Sequence, residues 1–157
     1  DAVVEAVIAR AKGIRIGAWD EPDIFMGPLV SEKARTQALD FQAMLVSHGG
    51  RPVLALEGMD RGGGFVSPGI IDVTEASGYP DEELFGPLLQ VVRVKTFDEA
   101  IVRANATRYG LSGGLVSDDD ALWEVAHREM RAGVLNRNRP TAGASGSMPF
   151  GGPGFSG

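Results

Sequence analysis

Apolar positions along the chain fall into two rhythms, and each change of rhythm marks an element. From Ala2 to Lys12, Val3, Ala6 and Val7 with the pair Ile8-Ala9 follow helical spacing, and Gly13 ends the run. A second helix is predicted after Ser31, whose hydroxyl suits an N-cap, with Ala34, Ala38, Phe41 and Leu45 on one face and Gly49-Gly50 as its stop. Pro52 to Leu56, Phe65 to Val73 and Leu88 to Val94 read as strands. The second is interrupted at Pro68-Gly69, and the third is nearly all apolar, as in a strand buried on both faces. Thr96-Phe97-Asp98-Glu99 has the form of a capping box, in which Thr96 accepts from an early amide while Glu99 reaches back to the Thr96 N–H. Phe97, Ala100, Ile101 and Ala104 then form the buried side of a helix that ends near Asn105. A strand from Leu111 to Val116 follows. Ser117 and the acids after it open another helix, with Ala121, Leu122, Val125 and Ala126 inward, and Gly133 to Asn136 is the last strand. This alternation over Thr96 to Asn136 predicts parallel pairing with helices packed outside, an α/β fold.

Two stretches break the pattern and attract attention for their chemistry. Ile14 to Pro28 is irregular, and its aromatics Trp19 and Phe25 are expected to be packing anchors. Pro80-Asp81-Glu82-Glu83-Leu84-Phe85-Gly86-Pro87 places carboxylates beside an aromatic ring in a connection that enters a strand. A rigid strand end can hold a carboxylate against a ligand, and one carboxylate can accept hydrogen bonds from both hydroxyls of a vicinal diol. The same three acids also suit a solvated loop on an acidic protein. His48, at the end of the second helix, is expected to meet free carbonyls there, and His127 to lie at the surface.

The formal charge of −6 and the lack of any Lys/Arg stripe speak against nucleic acid. No apolar run approaches a membrane span, and the absence of Cys removes disulfides, thiolate metal sites and a Cys nucleophile from these residues. Asp118, Asp119 and Asp120 lack the Gly turn and closing Glu of a Ca²⁺ loop, so no metal site is expected. No Lys-Ser/Thr follows the glycines of Arg61-Gly62-Gly63-Gly64, which removes a Walker phosphate loop. Gly152-x-Gly154-x-x-Gly157 satisfies a dinucleotide fingerprint in letters only, because a Pro-rich loop rather than a strand precedes it. The chain opens at Asp1 without Met and stops in a glycine-rich run, and is read as an internal piece of a longer protein.

Glu-Glu-Leu-Phe-Gly-Pro (82 to 87) resembles the Glu-Glu-(Ile/Val)-Phe-Gly-Pro signature of NAD(P)-dependent aldehyde dehydrogenases. Ala-Asn-Ala-Thr-Arg-Tyr-Gly-Leu (104 to 111) and Pro-Phe-Gly-Gly-Pro-Gly-Phe-Ser-Gly (149 to 157) resemble further signatures of that family, in its order, and the Gly-Pro-Leu-Val-Ser-Glu-Lys segment (27 to 33) agrees. The resemblance implies a three-layer parallel-sheet catalytic domain present in part, with residues 1 to 157 lacking the cofactor domain, the oligomerisation strands, the nucleophilic Cys and the general-base Glu. No residue of this chain is then catalytic. It implies that Glu83 grips the nicotinamide ribose with Phe85 near the nicotinamide, and that Phe150 lines the aldehyde tunnel. The Gly-rich tail is accordingly expected to be an ordered binding loop. NAD is the implied cofactor, with NADP left open because the residues that meet the 2′ position lie elsewhere.

Asn136-Arg137-Asn138-Arg139-Pro140-Thr141-Ala142-Gly143-Ala144-Ser145 is similar to the branch of the family that oxidises N-succinylglutamate 5-semialdehyde in arginine catabolism. In that branch Gly143, Ala144 and Ser145 would anchor the substrate carboxylate through backbone N–H groups and a hydroxyl. Arg137 departs from the branch, which has Trp there; an added cation either assists an acidic substrate or faces solvent. The expected partner is thus a small acidic semialdehyde, in a cytoplasmic homo-oligomeric enzyme. Succinate or glutamate semialdehyde is the alternative substrate, and a non-catalytic structural module of the same family is the alternative class.

Overall fold

The computed structural model describes residues 2–142 and 149–156. They gather into two compact units, Asp1–Arg93 and Val94–Gly157. The first holds α1 (Ala2–Lys12), α2 (Glu32–Ser47), β1 (Arg51–Leu54), β2 (Gly69–Asp72) and β3 (Leu88–Val91), and the second holds α3 (Phe97–Asn105), β4 (Ser112–Leu115), α4 (Asp120–Glu129) and β5 (Val134–Arg137).

In the first unit the strands form a sheet in the order β1-β2-β3. β1 runs antiparallel to β2, whereas β2 and β3 are parallel, with Gly69 opposite Leu88 and Asp72 opposite Val91. Every residue of β2 is buried. Burial on both faces therefore belongs to β2 and not to the Leu88–Val94 run, where Leu89 is 49% exposed. The reason is position: β2 is flanked by a strand on each side, and β3 lies at the edge of this sheet. Pro68 marks the break foreseen in the sequence, since before β2 only an isolated bridge pairs Val66 with Gly58.

α2 lies on this sheet by the face its spacing predicts. Ala38 and Leu45 are fully buried; Leu45 packs with Ile71, Val73 and Ala76, and Ala38 packs with Leu56 and Val66. Each of the larger aliphatic side chains, Leu45, Leu56, Val66, Ile71 and Val73, contributes about 1.5–3 kcal/mol by leaving water. Ser31 caps the helix, its Oγ accepting from the Ala34 amide at 3.1 Å. At the other end Gly49, with φ of 100°, lets its N–H reach Val46 O and the Gly50 N–H reach Leu45 O, a Schellman closure. His48 Nδ1 lies 2.9 Å from Met44 O, the helix-end role expected of it. Its ring nitrogen donates in the tautomer that carries the proton there.

α1 forms where predicted but turns a different stripe inward. Ala11 is buried and Val4 and Ile8 are half-buried, while Val3, Ala6 and Val7 are exposed. The i, i+4, i+7 spacing of Val4, Ile8 and Ala11 fits one helix face better than the Val3 set does. Trp19 and Phe25, expected as anchors, are 95% and 82% exposed. Polar contacts organise that stretch instead: Glu21 is gripped by both terminal nitrogens of Arg61, and its carboxylate also accepts from the Ala18 amide. The Arg61 hydrogen bonds hold the Glu21 pKa below its ordinary value.

In the second unit β4 and β5 pair in parallel, with Ser112 opposite Val134 and Leu115 opposite Arg137, as the alternation predicts. Thr96 caps α3 by accepting from the Glu99 amide at 3.2 Å, but Glu99 Oε2 accepts from Lys95 N–H at 2.8 Å and not from Thr96. The returning arm of the capping box thus closes one residue earlier. On α3, Ile101 is buried while Ala104 is exposed, and on α4, Ala126 is buried while Ala121 is exposed. α4 is capped by Asp119, whose Oδ1 accepts from the Ala121 and Leu122 amides, and Ser117 supports the cap by accepting from the Asp119 amide. His127 is exposed, as expected.

Candidate functional site

The acidic stretch is fixed by the apolar residues at its two ends. Tyr79 packs against the cluster of Leu45, Ile71, Val73 and Ala76, and Leu84 packs against Ala38, Leu56 and Val66. With Leu84 turned inward, its neighbours Glu83 and Phe85 are both exposed, Phe85 at 81%. The chain then tightens through Gly86, whose N–H reaches Leu84 O and whose carbonyl accepts from Leu88, and Pro87 O accepts from the Gly69 N–H at 2.8 Å. The carboxylates therefore stand immediately before a hydrogen-bonded strand.

Opposite them lies the outer part of α2. Gln37, Asp40, Phe41 and Met44 from the helix and Pro80, Glu82, Glu83, Leu84 and Phe85 from the loop line one open cleft of about 680 Å³. Glu83 and Phe85 are brought together in it. Among the described residues no group hydrogen-bonds to or pairs with the Glu83 carboxylate, so both its oxygens are available to a ligand. The described lining contains three carboxylates, Asp40, Glu82 and Glu83, and no Lys or Arg. Such a wall favours hydroxyl donors and disfavours a phosphate.

Beneath the cleft, two polar groups that the sequence reading missed tie strands to their neighbours. Gln42 on α2 accepts from the Leu56 amide at 2.7 Å and donates to the Leu56 carbonyl at 3.0 Å, fixing the chain just after β1. Asp72, at the end of β2, is the buried charged residue among the described residues. Its Oδ1 accepts from the Thr74 hydroxyl and amide, and its Oδ2 from Arg93 and Arg51. The Thr74 hydroxyl, its amide and then Arg93 hold the Asp72 pKa at about 2, against the opposing effect of burial. These ties are long-range, and only the acid-Ser/Thr spacing of Asp72 and Thr74 is a local signal for them.

In the second unit, the described part of the tail is packed and not a free linker. Backbone N–H of Phe155 donates to Arg108 O at 2.9 Å, and Gly110 N–H donates to Ser156 Oγ at 3.0 Å. The Phe155 ring sits 6.2 Å from Tyr109 and under the Arg108 guanidinium at 5.0 Å. The glycines serve backbone contact: a Cβ on Gly133 would meet Gly151 O at 1.6 Å. Phe150 is 65% exposed at the start of this segment. Gly143, Ala144 and Ser145, the expected carboxylate anchors, lie outside the described residues.

Residues 1–157 match the aldehyde dehydrogenase family along their whole length. The chain belongs to that family. Among its aldehyde dehydrogenase relatives, N-succinylglutamate 5-semialdehyde dehydrogenase 2 of Caulobacter vibrioides is 52% identical over 99% of this chain and 32% of its own length. The N-succinylglutamate 5-semialdehyde dehydrogenase of Burkholderia cenocepacia is 53% identical over 87% of this chain and 28% of its own length. The chain spans about a third of the length of the curated relatives it matches. Solved aldehyde dehydrogenase structures superpose closely. A 1-pyrroline-5-carboxylate dehydrogenase from Thermus with bound NAD has a TM-score of 0.87 at 36% identity, over 98% of this chain and 30% of that one. Aldehyde dehydrogenase 21 from Physcomitrella patens, in complex with the reaction product succinate, has a TM-score of 0.86 at 31% identity, over 98% of this chain and 32% of that one. The fold is α/β with parallel strand pairing, as the sequence pattern predicts.

Proposed function

We propose that the full-length protein is an NAD(P)-dependent aldehyde dehydrogenase that oxidises N-succinyl-L-glutamate 5-semialdehyde to N-succinyl-L-glutamate, and that residues 1–157 are a part of its catalytic domain. The observation that carries the reading is the Glu83 carboxylate, exposed and without a partner among the described residues in a cleft beside Phe85, in a chain about half identical to enzymes of that name. The cleft fits the ribose-nicotinamide end of a dinucleotide. Glu83 has two oxygens for the two ribose hydroxyls, Phe85 offers a flat apolar face, and the absence of cations from the described lining suits the sugar end better than the phosphates. When bound, the nicotinamide supplies the hydride acceptor. The work of this chain is to hold the sugar and the substrate; the nucleophile comes from the rest of the protein, since these residues contain no Cys, and the general base is assigned there with it by family resemblance.

On the substrate side, Gly143, Ala144 and Ser145 anchor a carboxylate and Phe150 borders the aldehyde. The Physcomitrella relative captured with succinate supports an acidic substrate class. The choice of N-succinylglutamate semialdehyde over succinate or glutamate semialdehyde rests on the named relatives. NAD is the cofactor we propose, in keeping with the NAD bound in the Thermus relative, and the full-length enzyme is proposed to be a cytoplasmic homo-oligomer. Among the described residues no helix is long and apolar enough to cross a membrane.

Steady-state rates of the full-length protein on the three semialdehydes test the substrate, and kcat/KM that does not favour N-succinylglutamate semialdehyde rejects it. Glu83→Gln tests the cofactor role. Losing a charge-assisted hydrogen bond worth about 1.5–3 kcal/mol is expected to raise KM for the dinucleotide by roughly tenfold or more. An unchanged KM for the dinucleotide refutes the assignment of Glu83.

A further inference from the structure

We propose that Arg137 is a positioning residue for the substrate loop. With Asn138 it clamps the chain leaving β5 onto the N-terminal end of α4, and through that clamp the surface carboxylate of Asp120 helps to set KM for the acidic semialdehyde. The inference rests on the reading above that the loop after β5 meets the substrate.

Arg137 ends β5, and its side chain is 25% exposed. Its Nε donates to Ser117 O at 3.0 Å, its Nη1 donates to Asp120 Oδ1 at 2.6 Å, and its guanidinium carbon lies 5.9 Å from the centre of the Trp123 ring. A guanidinium held by a carbonyl, a carboxylate and a ring face has its charge paired and its Nε and Nη1 committed. It is therefore a poor direct ligand for a substrate carboxylate, and at 25% exposure it does not simply face solvent.

The next residue reverses the chain. Asn138 has φ of 51°, a left-handed conformation that Asn tolerates better than other side chains. Its N–H donates to Leu115 O at 2.9 Å, its Oδ1 accepts from Ser117 N–H at 2.9 Å, and its Nδ2 donates to Ser117 O and Asp118 Oδ1, each at 3.2 Å. Three residues later Thr141 O accepts from Ser112 Oγ at 3.0 Å. Leu115 ends β4 and Ser112 begins it, so residues 138–141 run back along that strand. They pass where β4 carries Gly114, and a Cβ there would press on Thr141 Cγ2 at 3.2 Å. The departure of the loop is thus held at both ends before Ala142. The Ser117 carbonyl is shared by Arg137 and Asn138, which makes residues 117–120 the common anchor.

Asp120 makes this testable, because at 89% exposure its ion pair adds little to global stability and its loss does not threaten the fold. In the full-length enzyme at saturating cofactor, Asp120→Asn is expected to raise KM for N-succinylglutamate semialdehyde threefold to tenfold with kcat within twofold. Arg137→Lys, which loses the fork and the ring contact, is expected to do the same, and the double variant to be no worse than the worse single. KM for hexanal, which has no carboxylate, is expected to move less than twofold. An Asp120→Asn enzyme with unchanged or lowered KM beside an impaired Arg137→Lys enzyme means that the guanidinium meets the substrate directly, and overturns the proposal. So do effects that multiply in the double variant, or an equal rise for hexanal. Hydrogen exchange over residues 138–142 gives a readout free of substrate. Asp120→Asn is expected to accelerate it severalfold, and unchanged protection also overturns the clamp. An unsubstituted enzyme that does not prefer the acidic aldehyde to hexanal refutes the substrate reading instead, and the exchange measurement then decides the clamp alone.

Discussion

Replacing Asp72 by Asn separates the charge of the β2 anchor from its shape. The carboxylate is 7% exposed and accepts from Thr74 Oγ1 at 2.6 Å, Thr74 N at 3.1 Å, Arg93 Nε at 3.0 Å and Arg51 Nη2 at 3.3 Å. Its pKa, held at about 2 from an ordinary 3.8, corresponds to about 2 to 3 kcal/mol. Arg93 and Arg51 are 41% and 72% exposed, so water screens their share and about 1 to 2 kcal/mol remains. Asn has a single side-chain oxygen, and its NH₂ must face either the Thr74 donors or the arginines, which adds about 1 kcal/mol that does not depend on pH. At pH 7 the loss is therefore about 2 to 3 kcal/mol. Because the folded pKa is lowered, the charge-dependent part is complete above about pH 5 and is lost as pH falls from 3.8 towards 2, with nearly half gone by about pH 3. Hydrogen exchange over residues 69–93 of the full-length protein measures it, since intrinsic rates cancel when variant and parent are compared at one pH. The expected acceleration is roughly 30- to 150-fold at pH 7, shrinking towards pH 3. A ratio that stays constant from pH 6 to pH 3 would show that the negative charge contributes nothing to this anchor.

Two further substitutions probe the supports of the site. Gln42→Leu leaves the Leu56 N–H and carbonyl without their partners and is expected to cost about 2 to 4 kcal/mol, read as a lower urea midpoint; a midpoint equal to the parent's refutes the role of this clamp. Gly133→Ala drives a Cβ into Gly151 O, a backbone overlap that only detachment of residues 149–156 relieves, so limited proteolysis is expected to cut near Phe150 or Phe155 in the variant and not in the parent.

What the sequence made legible is largely what depends on neighbours a few residues away. The α2 face, its Ser31 cap and Gly49-Gly50 stop, His48 over the last turn and the parallel β4–β5 pair all follow from local spacing. The misreadings have the opposite character. Trp19 and Phe25 read as core because they are large and aromatic, yet Arg61, some forty residues on, organises that stretch through Glu21. Leu88–Val94 read as doubly buried because it is apolar, and only the strand order shows that β2 takes the central place. At the α4 start, several hydroxyl and acid caps compete within three residues, and Asp119 wins over Ser117 because its carboxylate reaches two amides at once.

The candidate site itself was found by its carboxylates and ring, but those residues do not place themselves. Leu84 does so, by filling the space beside Ala38, Leu56 and Val66 and thereby turning Glu83 and Phe85 to the same open side. α2 then serves twice: its inner face supplies the Ala38 surface that receives Leu84, and its outer edge supplies Gln37 and Asp40 to the opposite wall of the cleft. The position of the Glu83 carboxylate, and with it of the ribose proposed to bind there, is accordingly set by an apolar contact on the far side of the chain. This is why a carboxylate that is exposed and makes no bond to the described residues can still be held at a defined place.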